Sequence, residues 1–283
     1  MPSEADRPPY VHGLFVIGLD HPNPTVVNNV ETLSNVPHIL RRGPGWFRSL
    51  GTSDTPGTMV FTISGDVETP GVYELSMGTP LDQLVFAHGG GLRPGRTLKA
   101  VFSGVSNAVI LPSALNARMD FGSMQAIGSG LGSGGFIVYD DTACMVRVAH
   151  TFSEFLHAES CGQCAAPCKF GTNQAIHHLH KFVDGSGDPS DLAFVLEGAA
   201  MAPQANRCYL PVEHSLVVPS IVRAFAEEFE QHFHRGCHGC RDVIVPKITD
   251  FDEVTRAFAY VRPGAFRADD IRASPLDVTM TAG

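Results

Sequence analysis

Glu159-Ser160-Cys161-Gly162-Gln163-Cys164-Ala165-Ala166-Pro167-Cys168 places three cysteines within eight residues, and Cys208 follows forty residues later. The first nine residues are acidic and proline-rich, unlike a secretory signal, so this thiol density points to metal ligation rather than disulfides. A [4Fe–4S] cluster takes four soft thiolates, and a loop supplying three with a distant fourth suits it. Zinc is the competing reading, because four sulfurs also satisfy a tetrahedral zinc ion. Structural zinc sites usually come as two separated Cys-x-x-Cys pairs, so the three-plus-one spacing favours iron–sulfur and leaves zinc open.

Outward from this loop the hydrophobic period is helical. Met145, Val148, Ala149, Phe152, Phe155 and Leu156 recur at three and four, predicting a helix capped by Asp141 or Thr142 and ended by the cysteine loop. Ala175, Ile176, Leu179, Phe182 and Val183 mark a second helix, closed by Asp184-Gly185. Asp188-Pro189 opens a third, carrying Leu192, Val195, Leu196 and Ala199. Pro211 opens a fourth, with Val217, Val218, Ile221, Val222, Phe225 and Phe229, ending near Gly236. Four amphipathic helices on short loops predict a four-helix bundle over 141–236, with both cysteine segments at helix ends where they can converge.

Upstream the period is that of strands. Met59-Val60-Phe61-Thr62-Ile63-Ser64 and Val72-Tyr73-Glu74-Leu75 read as two strands around turn chemistry from Gly65-Asp66 to Pro70-Gly71. Thr79-Pro80 reads as an N-cap followed by proline at the first helical position, with Leu81, Leu84, Val85 and His88 on one face and Gly89-Gly90-Gly91 as the stop. Leu98 to Phe102 is a further strand. This order predicts a small β-grasp (ubiquitin-like) domain over 55–140. Gly130-Leu131-Gly132-Ser133-Gly134-Gly135 matches Gly-x-Gly-x-x-Gly, but a strand, Phe136-Ile137-Val138-Tyr139, follows it, so it reads as a turn and not as a dinucleotide site. Before 55 lie an irregular proline-rich start, a short strand at Thr25-Val26-Val27 and a helix carrying Val30, Leu33, Val36, Ile39 and Leu40, with Pro37 near its middle. Residues 237–283 form a C-terminal extension, expected to be disordered beyond about Pro263. The expected class is α+β.

The chain carries a net charge of −9 with no basic run, which excludes a dedicated nucleic-acid binder. No apolar run approaches the roughly 18 residues of a membrane span. A soluble cytoplasmic protein with reduced thiols is expected. Cys237 and Cys240, with His232, His234 and His238 nearby, suggest a second metal site, but only one Cys-x-x-Cys pair is present and structural zinc needs four ligands. They read as spare thiols, and Cys144 reads as a buried structural thiol. Asp140 and Asp141 read as helix-capping groups rather than an acid–base pair. His177, His178 and His180 read as a solvated helix face, and Ser103, Ser106 and Ser215 have no triad around them.

Glu159-Ser160-Cys161-Gly162-Gln163-Cys164 with Pro167-Cys168-Lys169 resembles the Glu-Ser-Cys-Gly-x-Cys-x-Pro-Cys-Arg signature of the NADH-binding flavoprotein subunit of complex I, a module shared with NAD-linked hydrogenases and formate dehydrogenases. Thr25-Val26-Val27-Asn28-Asn29-Val30-Glu31-Thr32, the Gly130–Gly135 stretch and Asp140-Asp141-Thr142-Ala143-Cys144-Met145-Val146 resemble further motifs of that family, in the same order. The resemblance covers roughly residues 20–260. It implies a soluble-ligand-binding β-grasp domain before a four-helix iron–sulfur domain, with Cys161, Cys164, Cys168 and Cys208 holding a 4Fe-4S cluster that receives electrons from flavin. It also implies partners: other subunits of an NADH-oxidising redox complex, including a thioredoxin-like iron–sulfur subunit, which would bring the protein to the cytoplasmic face of the membrane.

Two departures accompany the resemblance. The family's Gly-rich NADH and FMN segments have no counterpart before Thr25, so residues 1–54 read as a remnant of the FMN-binding domain. Asn28, Asn29 and Thr32 match flavin-neighbouring positions and form a partial FMN site. FMN and NAD are expected only where the missing half is supplied, and this chain alone is expected to lack NADH:acceptor activity. The family also spaces its first three cysteines two and two apart, whereas Ala165-Ala166-Pro167 puts three residues between Cys164 and Cys168. A bulge at Ala165-Ala166 is the expected accommodation. Two functions follow: an electron-transfer iron–sulfur component of an NADH dehydrogenase, or a non-catalytic assembly and docking module whose cysteine site is degenerate or filled by zinc.

Overall fold

The computed structural model describes residues 28–243, 245, 248–252 and 257–260. The expected strand at Thr25-Val26-Val27 and the tail beyond Pro263 lie outside them. Helices α1 (Val30–Arg42) and α2 (Pro44–Arg48) precede strands β1 (Thr58–Gly65), β2 (Gly71–Ser76), β3 (Leu98–Ser103) and β4 (Gly135–Asp140). The two outer strands each pair antiparallel with an inner neighbour, and the inner strands β1 and β4 run parallel, giving the order β2-β1-β4-β3. A parallel pair needs a long crossover. Residues 66–134 supply it, and they hold β2, β3, a π-helical turn (Gln83–His88) and helix α3 (Phe121–Ala126).

β3 and β4 are apolar on consecutive residues because both of their faces are covered. Val101, Phe136 and Val138 join Phe61, Ile63, Leu81, Leu84 and Val85 in one core. Ala100, Phe102 and Tyr139 face the other way, into a core shared with the helices. The helix expected after Thr79-Pro80 forms with Leu81, Leu84 and Val85 fully buried, but its turn is π-wound and Pro80 bridges to Arg118 instead of opening it. The Gly130–Gly135 stretch is a turn, as its context predicts. Gly132 and Gly134 take positive φ of 56° and 80°, and the Gly134 carbonyl accepts the Thr62 N–H at 2.9 Å, which delivers the chain into β4.

The helical region comprises α4 (Met145–Glu159), a π-helical turn (Ala165–Lys169), α5 (Phe170–Asp184), α6 (Pro189–Met201), α7 (Leu210–Ala224) and α8 (Ala226–Gln231). α5 packs on α4 and α6, and α7 packs on the same two helices, which closes a ring of four. Two expectations are corrected. α4 begins after Cys144, not at Asp141 or Thr142, because Asp140 accepts the Thr142 N–H and Asp141 accepts the Thr97 N–H, holding the loop ahead of the helix. The fourth predicted helix breaks at Phe225 (φ −125°, ψ 36°), which separates α7 from α8 and turns α8 back toward the start of α4. There the Glu228 carboxylate accepts the Met145 N–H at 2.8 Å, satisfying one of the free donors of the first turn. An antiparallel pair of strands, β5 (Ile248–Asp252) and β6 (Ala257–Tyr260), follows in the C-terminal segment, where no strand pair was expected.

α5 and α6 cross at two glycines. A Cβ on Gly198 would sit 2.6 Å from the Gly171 carbonyl oxygen, and one on Gly171 would sit 2.5 Å from the Gly198 carbonyl oxygen. Only the absence of both side chains permits this approach. Gly198→Ala is therefore expected to destabilise the protein by about 1–3 kcal/mol through overpacking, even though alanine favours helix. Urea unfolding monitored by circular dichroism checks the sign, and a stabilised variant would contradict the close crossing.

Candidate metal centre

Cys161, Cys164 and Cys168 lie between the end of α4 and the start of α5, and Cys208 lies two residues before α7. Ring closure brings these helix ends together. Cys161 and Cys208 are exposed, Cys164 is half-buried and Cys168 is buried. Burial pushes the Cys168 thiol up, and negative charge on Cys208, Cys164 and Cys161 pushes it further. The Cys208 segment and the three-cysteine loop thus lie close enough to act on Cys168 together. Arg207 donates to the Gln163 side-chain oxygen at 3.2 Å, tying the Cys208 segment to the three-cysteine loop. The donor set of four thiolates fits an iron–sulfur cluster.

The extra residue between Cys164 and Cys168 has a visible destination. Ala165–Lys169 winds as a π-helical turn, the form in which a helix absorbs one inserted residue. The expected bulge is therefore a widened turn feeding directly into α5. The Cys168 N–H still reaches the Cys164 carbonyl at 3.0 Å. Lys169 donates to the His157 carbonyl at 2.6 Å, an acceptor at the C-terminal end of α4 that the Ser160 hydroxyl also reaches at 2.7 Å. The Thr172 hydroxyl donates to the Cys168 carbonyl at 2.9 Å, so its oxygen accepts from His157 Nδ1 at 2.8 Å. These bonds fix the backbone on both sides of Cys168.

Asn28, Asn29 and Thr32 stand at the exposed N-terminus of α1. Asn29 caps that helix by accepting the Glu31 N–H at 2.8 Å, and Asn28 accepts the Asn29 N–H at 2.7 Å. The visible work of Asn29 is capping. His178 departs from its expected solvated setting: its ring stacks on Phe194 and its Nδ1 bonds the buried Asp191 carboxylate at 2.5 Å.

A second cluster forms where none was favoured. The sulfurs of Cys144, Cys237 and Cys240 and a ring nitrogen of His232 all lie within 4.8 Å of one another. Cys144 Sγ is 3.3 Å from His232 Nε2 and 3.4 Å from Cys237 Sγ. This corrects the reading of Cys237 and Cys240 as spare thiols, while Cys144 is buried as expected but has these partners. The hydrogen bond from the Cys237 thiol, and then that from His232, hold Cys144 down to about 3, while His232 is pushed up to about 9 by the Cys144 sulfur. The sequence offered Cys237, Cys240 and His232 as a candidate set short of a fourth ligand; it gave no hint of Cys144, which stands 93 residues before Cys237 and joins it only through the fold.

The family described as the NADH-ubiquinone oxidoreductase-F iron-sulfur binding region matches residues 147–232, and the SLBB domain family matches residues 60–105. The second F-type NADH-quinone oxidoreductase subunit of Rhizobium meliloti is 46% identical over 189 residues, covering 66% of this chain and 43% of that protein. The F-type NADH-quinone oxidoreductase subunit of Rickettsia bellii is 37% identical over 227 residues, covering 79% of this chain and 53% of that protein. A solved NAD+-reducing [NiFe]-hydrogenase in the H2-reduced state aligns with a TM-score of 0.66 at 32% identity, covering 75% of this chain and 36% of that one. The chain spans about half the length of the curated relatives it matches.

Beneath the helix ends that carry the cysteines, α7 buries His214 completely. Its Nε2 meets Ser153 Oγ at 3.2 Å, and its Nδ1 has no partner among the described residues. Burial, and then the charge of His157, hold His214 down to about 4. The unfolded chain therefore binds this proton more readily than the folded one. Stability is full above pH ~6.5 and falls as pH drops toward 4, by up to about 1.4 kcal/mol per pH unit. Denaturant titrations from pH 7 to 4 are expected to show this loss, and His214→Gln to flatten it. An unchanged slope in the variant would remove His214 as its source.

Proposed function

Because residues 147–232 are an iron–sulfur binding region of the NADH-ubiquinone oxidoreductase F type, preceded by an SLBB domain, we propose that this chain is the one-electron relay of an NADH-oxidising flavoprotein. In this reading Cys161, Cys164, Cys168 and Cys208 hold a 4Fe-4S cluster. The observation that carries it is the meeting of two cysteine segments within the matched region, joined by the Arg207–Gln163 hydrogen bond at 3.2 Å. A bound cluster supplies one-electron chemistry at low reorganisation cost. The chain's own part is to fix the four sulfurs, to bury Cys168 and to keep Lys169 beside it. Burial and nearby charge are the levers by which a protein tunes cluster potential.

Flavin and nicotinamide come from outside the described residues in this proposal, since Asn28, Asn29 and Thr32 are exposed and cannot enclose a flavin ring. Partner subunits of a redox complex, including a thioredoxin-like iron–sulfur subunit, would dock near the cluster. Phe170 and Tyr209, each 61% exposed and each within two residues of a cysteine ligand, offer the apolar contact for it. No described helix is long and apolar enough to cross a membrane, so any membrane association would run through such partners. Free thiols at this density suit the reducing cytoplasm.

Anaerobic reconstitution with iron and sulfide is expected to give four irons and four sulfides per chain, and Cys208→Ser to lose them. Full incorporation in a variant changed at both Cys161 and Cys208 would overturn the ligand assignment. Zinc in that loop, in protein isolated without air, would favour the assembly-module reading. Deletion of Ala166 removes the residue that the π-turn absorbs, and it is expected to preserve or increase the half-life of the cluster in air. Absorbance near 400 nm follows it, and rapid bleaching of the deletion variant would mean that the widened turn is itself required.

A further inference from the structure

We propose that Cys144, His232, Cys237 and Cys240 form a second and separate metal site, a mononuclear tetrahedral zinc centre that fastens the C-terminal segment to both parts of the fold. The ligand set is three thiols and one imidazole, a composition of structural zinc sites. With zinc–sulfur bonds of about 2.3 Å, sulfurs on a tetrahedron stand about 3.8 Å apart. The observed 3.4 Å between Cys144 and Cys237, and 3.3 Å from Cys144 to His232, fall slightly inside such a frame, and all four ligand atoms fit within 4.8 Å. A cubane places each thiolate on a different iron at a different corner, so its four sulfurs stand farther apart. This quartet has room for one ion.

His232 is oriented as a ligand. Its Nδ1 donates to the Glu228 carbonyl at 2.6 Å, which turns Nε2 toward the sulfurs as the nitrogen that would ligate once its proton is displaced. A metal-bound histidine characteristically gives its other nitrogen to such an acceptor. The site is also remote from the iron–sulfur loop. Cys144 stands at the N-cap of α4, whereas Cys161 lies two residues beyond its last residue. Fifteen residues at 1.5 Å each separate them by roughly 22 Å. Cys144, Cys237 and Cys240 also fall outside the matched region 147–232. The two sets cannot share ligands, and this proposal stands whatever occupies the other loop.

One ion here would join the start of α4, the end of α8 and the loop at 237–240. The adjacent residue, Arg241, reaches the buried carboxylates of Asp66 and Asp140 in the sheet domain. The Cys237 N–H donates to the Val183 carbonyl near the end of α5 at 2.9 Å. Three thiolates and a neutral imidazole on a divalent ion leave a net charge of −1, and loading releases the thiol protons.

Full-length protein isolated without air is to be assayed for zinc and iron, as wild type and as Cys240→Ser. One zinc per chain is expected in the wild type, at least about tenfold weaker retention in the variant, and no change in iron. Since a variant can fail to fold, the wild type is also loaded with Co(II). Three thiolates and an imidazole give intense thiolate-to-cobalt absorption in the near ultraviolet and strong tetrahedral bands in the visible. Chelation of the wild-type metal is expected to speed tryptic cleavage at Arg235 and Arg241 at least tenfold. The proposal is overturned by wild-type protein with no zinc at this quartet and no such cobalt spectrum. It is equally overturned by parallel loss of iron and zinc in Cys240→Ser, or by a Cys144–Cys237 disulfide in protein never exposed to air.

Discussion

The apolar stripe of α4 must be covered on every side, and the covering determines where the chemistry sits. Met145, Val146, Val148, Ala149, Phe152 and Leu156 are buried along its length. Phe152 meets Phe102 of β3 edge-on at 5.0 Å and lies 6.3 Å from Tyr139 of β4. α5 and α7 close over the remaining faces. Burying such side chains contributes roughly 1.5–3 kcal/mol each before entropy is subtracted. The helix so fixed serves as the axis between two thiol clusters, and the same packing that satisfies its apolar residues sets the distance between them.

Placing the cysteines at helix ends has a further physical basis. Helix termini leave backbone donors and acceptors unpaired, and the residues that satisfy them also hold the loops in shape. At the C-terminal end of α4, Lys169 reaches the His157 carbonyl while Thr172 links His157 to the Cys168 carbonyl. At its N-terminal end the Glu228 carboxylate accepts from Met145, and Glu228 also pairs with Lys99 at 2.8 Å. Each thiol cluster is thus surrounded by bonds that would exist for the sake of the helix alone. Precise placement of sulfur comes from backbone already held by other means.

Much of this was legible in the amino-acid order. The stripes at 145–156, 175–183 and 192–199 became α4, α5 and α6, because an apolar period of three and four has one stable outcome when it is long enough. The Gly130–Gly135 stretch was readable as a turn because a strand, not a helix, follows it. Other features were hidden because they depend on closure in three dimensions. The break at Phe225 lies inside an unbroken apolar period, and nothing local marks it. The Cys144 quartet draws on a helix start, a helix end and a loop that are neighbours only after the ring closes. The register of α1 was predicted correctly, yet Val30, Leu33, Val36 and Leu40 remain exposed, since a period identifies a face and not what covers it. The family resemblance singled out Cys161, Cys164, Cys168 and Cys208, and the spacing led to an expected bulge at Ala165-Ala166, but not to its form, a π-wound turn continuous with α5.

The ion pair of Arg241 with Asp66 spans 175 residues and sits on carboxylates that are 6% and 2% exposed at Asp66 and Asp140. On a ribosome the sheet emerges complete long before Arg241 does. Until then the two carboxylates stand at neighbouring strand ends without the guanidinium that bridges them in the complete fold. Closure over so long a stretch adds only slowly to the entropic cost but delays the contact in time. The ends of the inner strands β1 and β4 are therefore completed by a residue that leaves the ribosome a full 175 positions after Asp66.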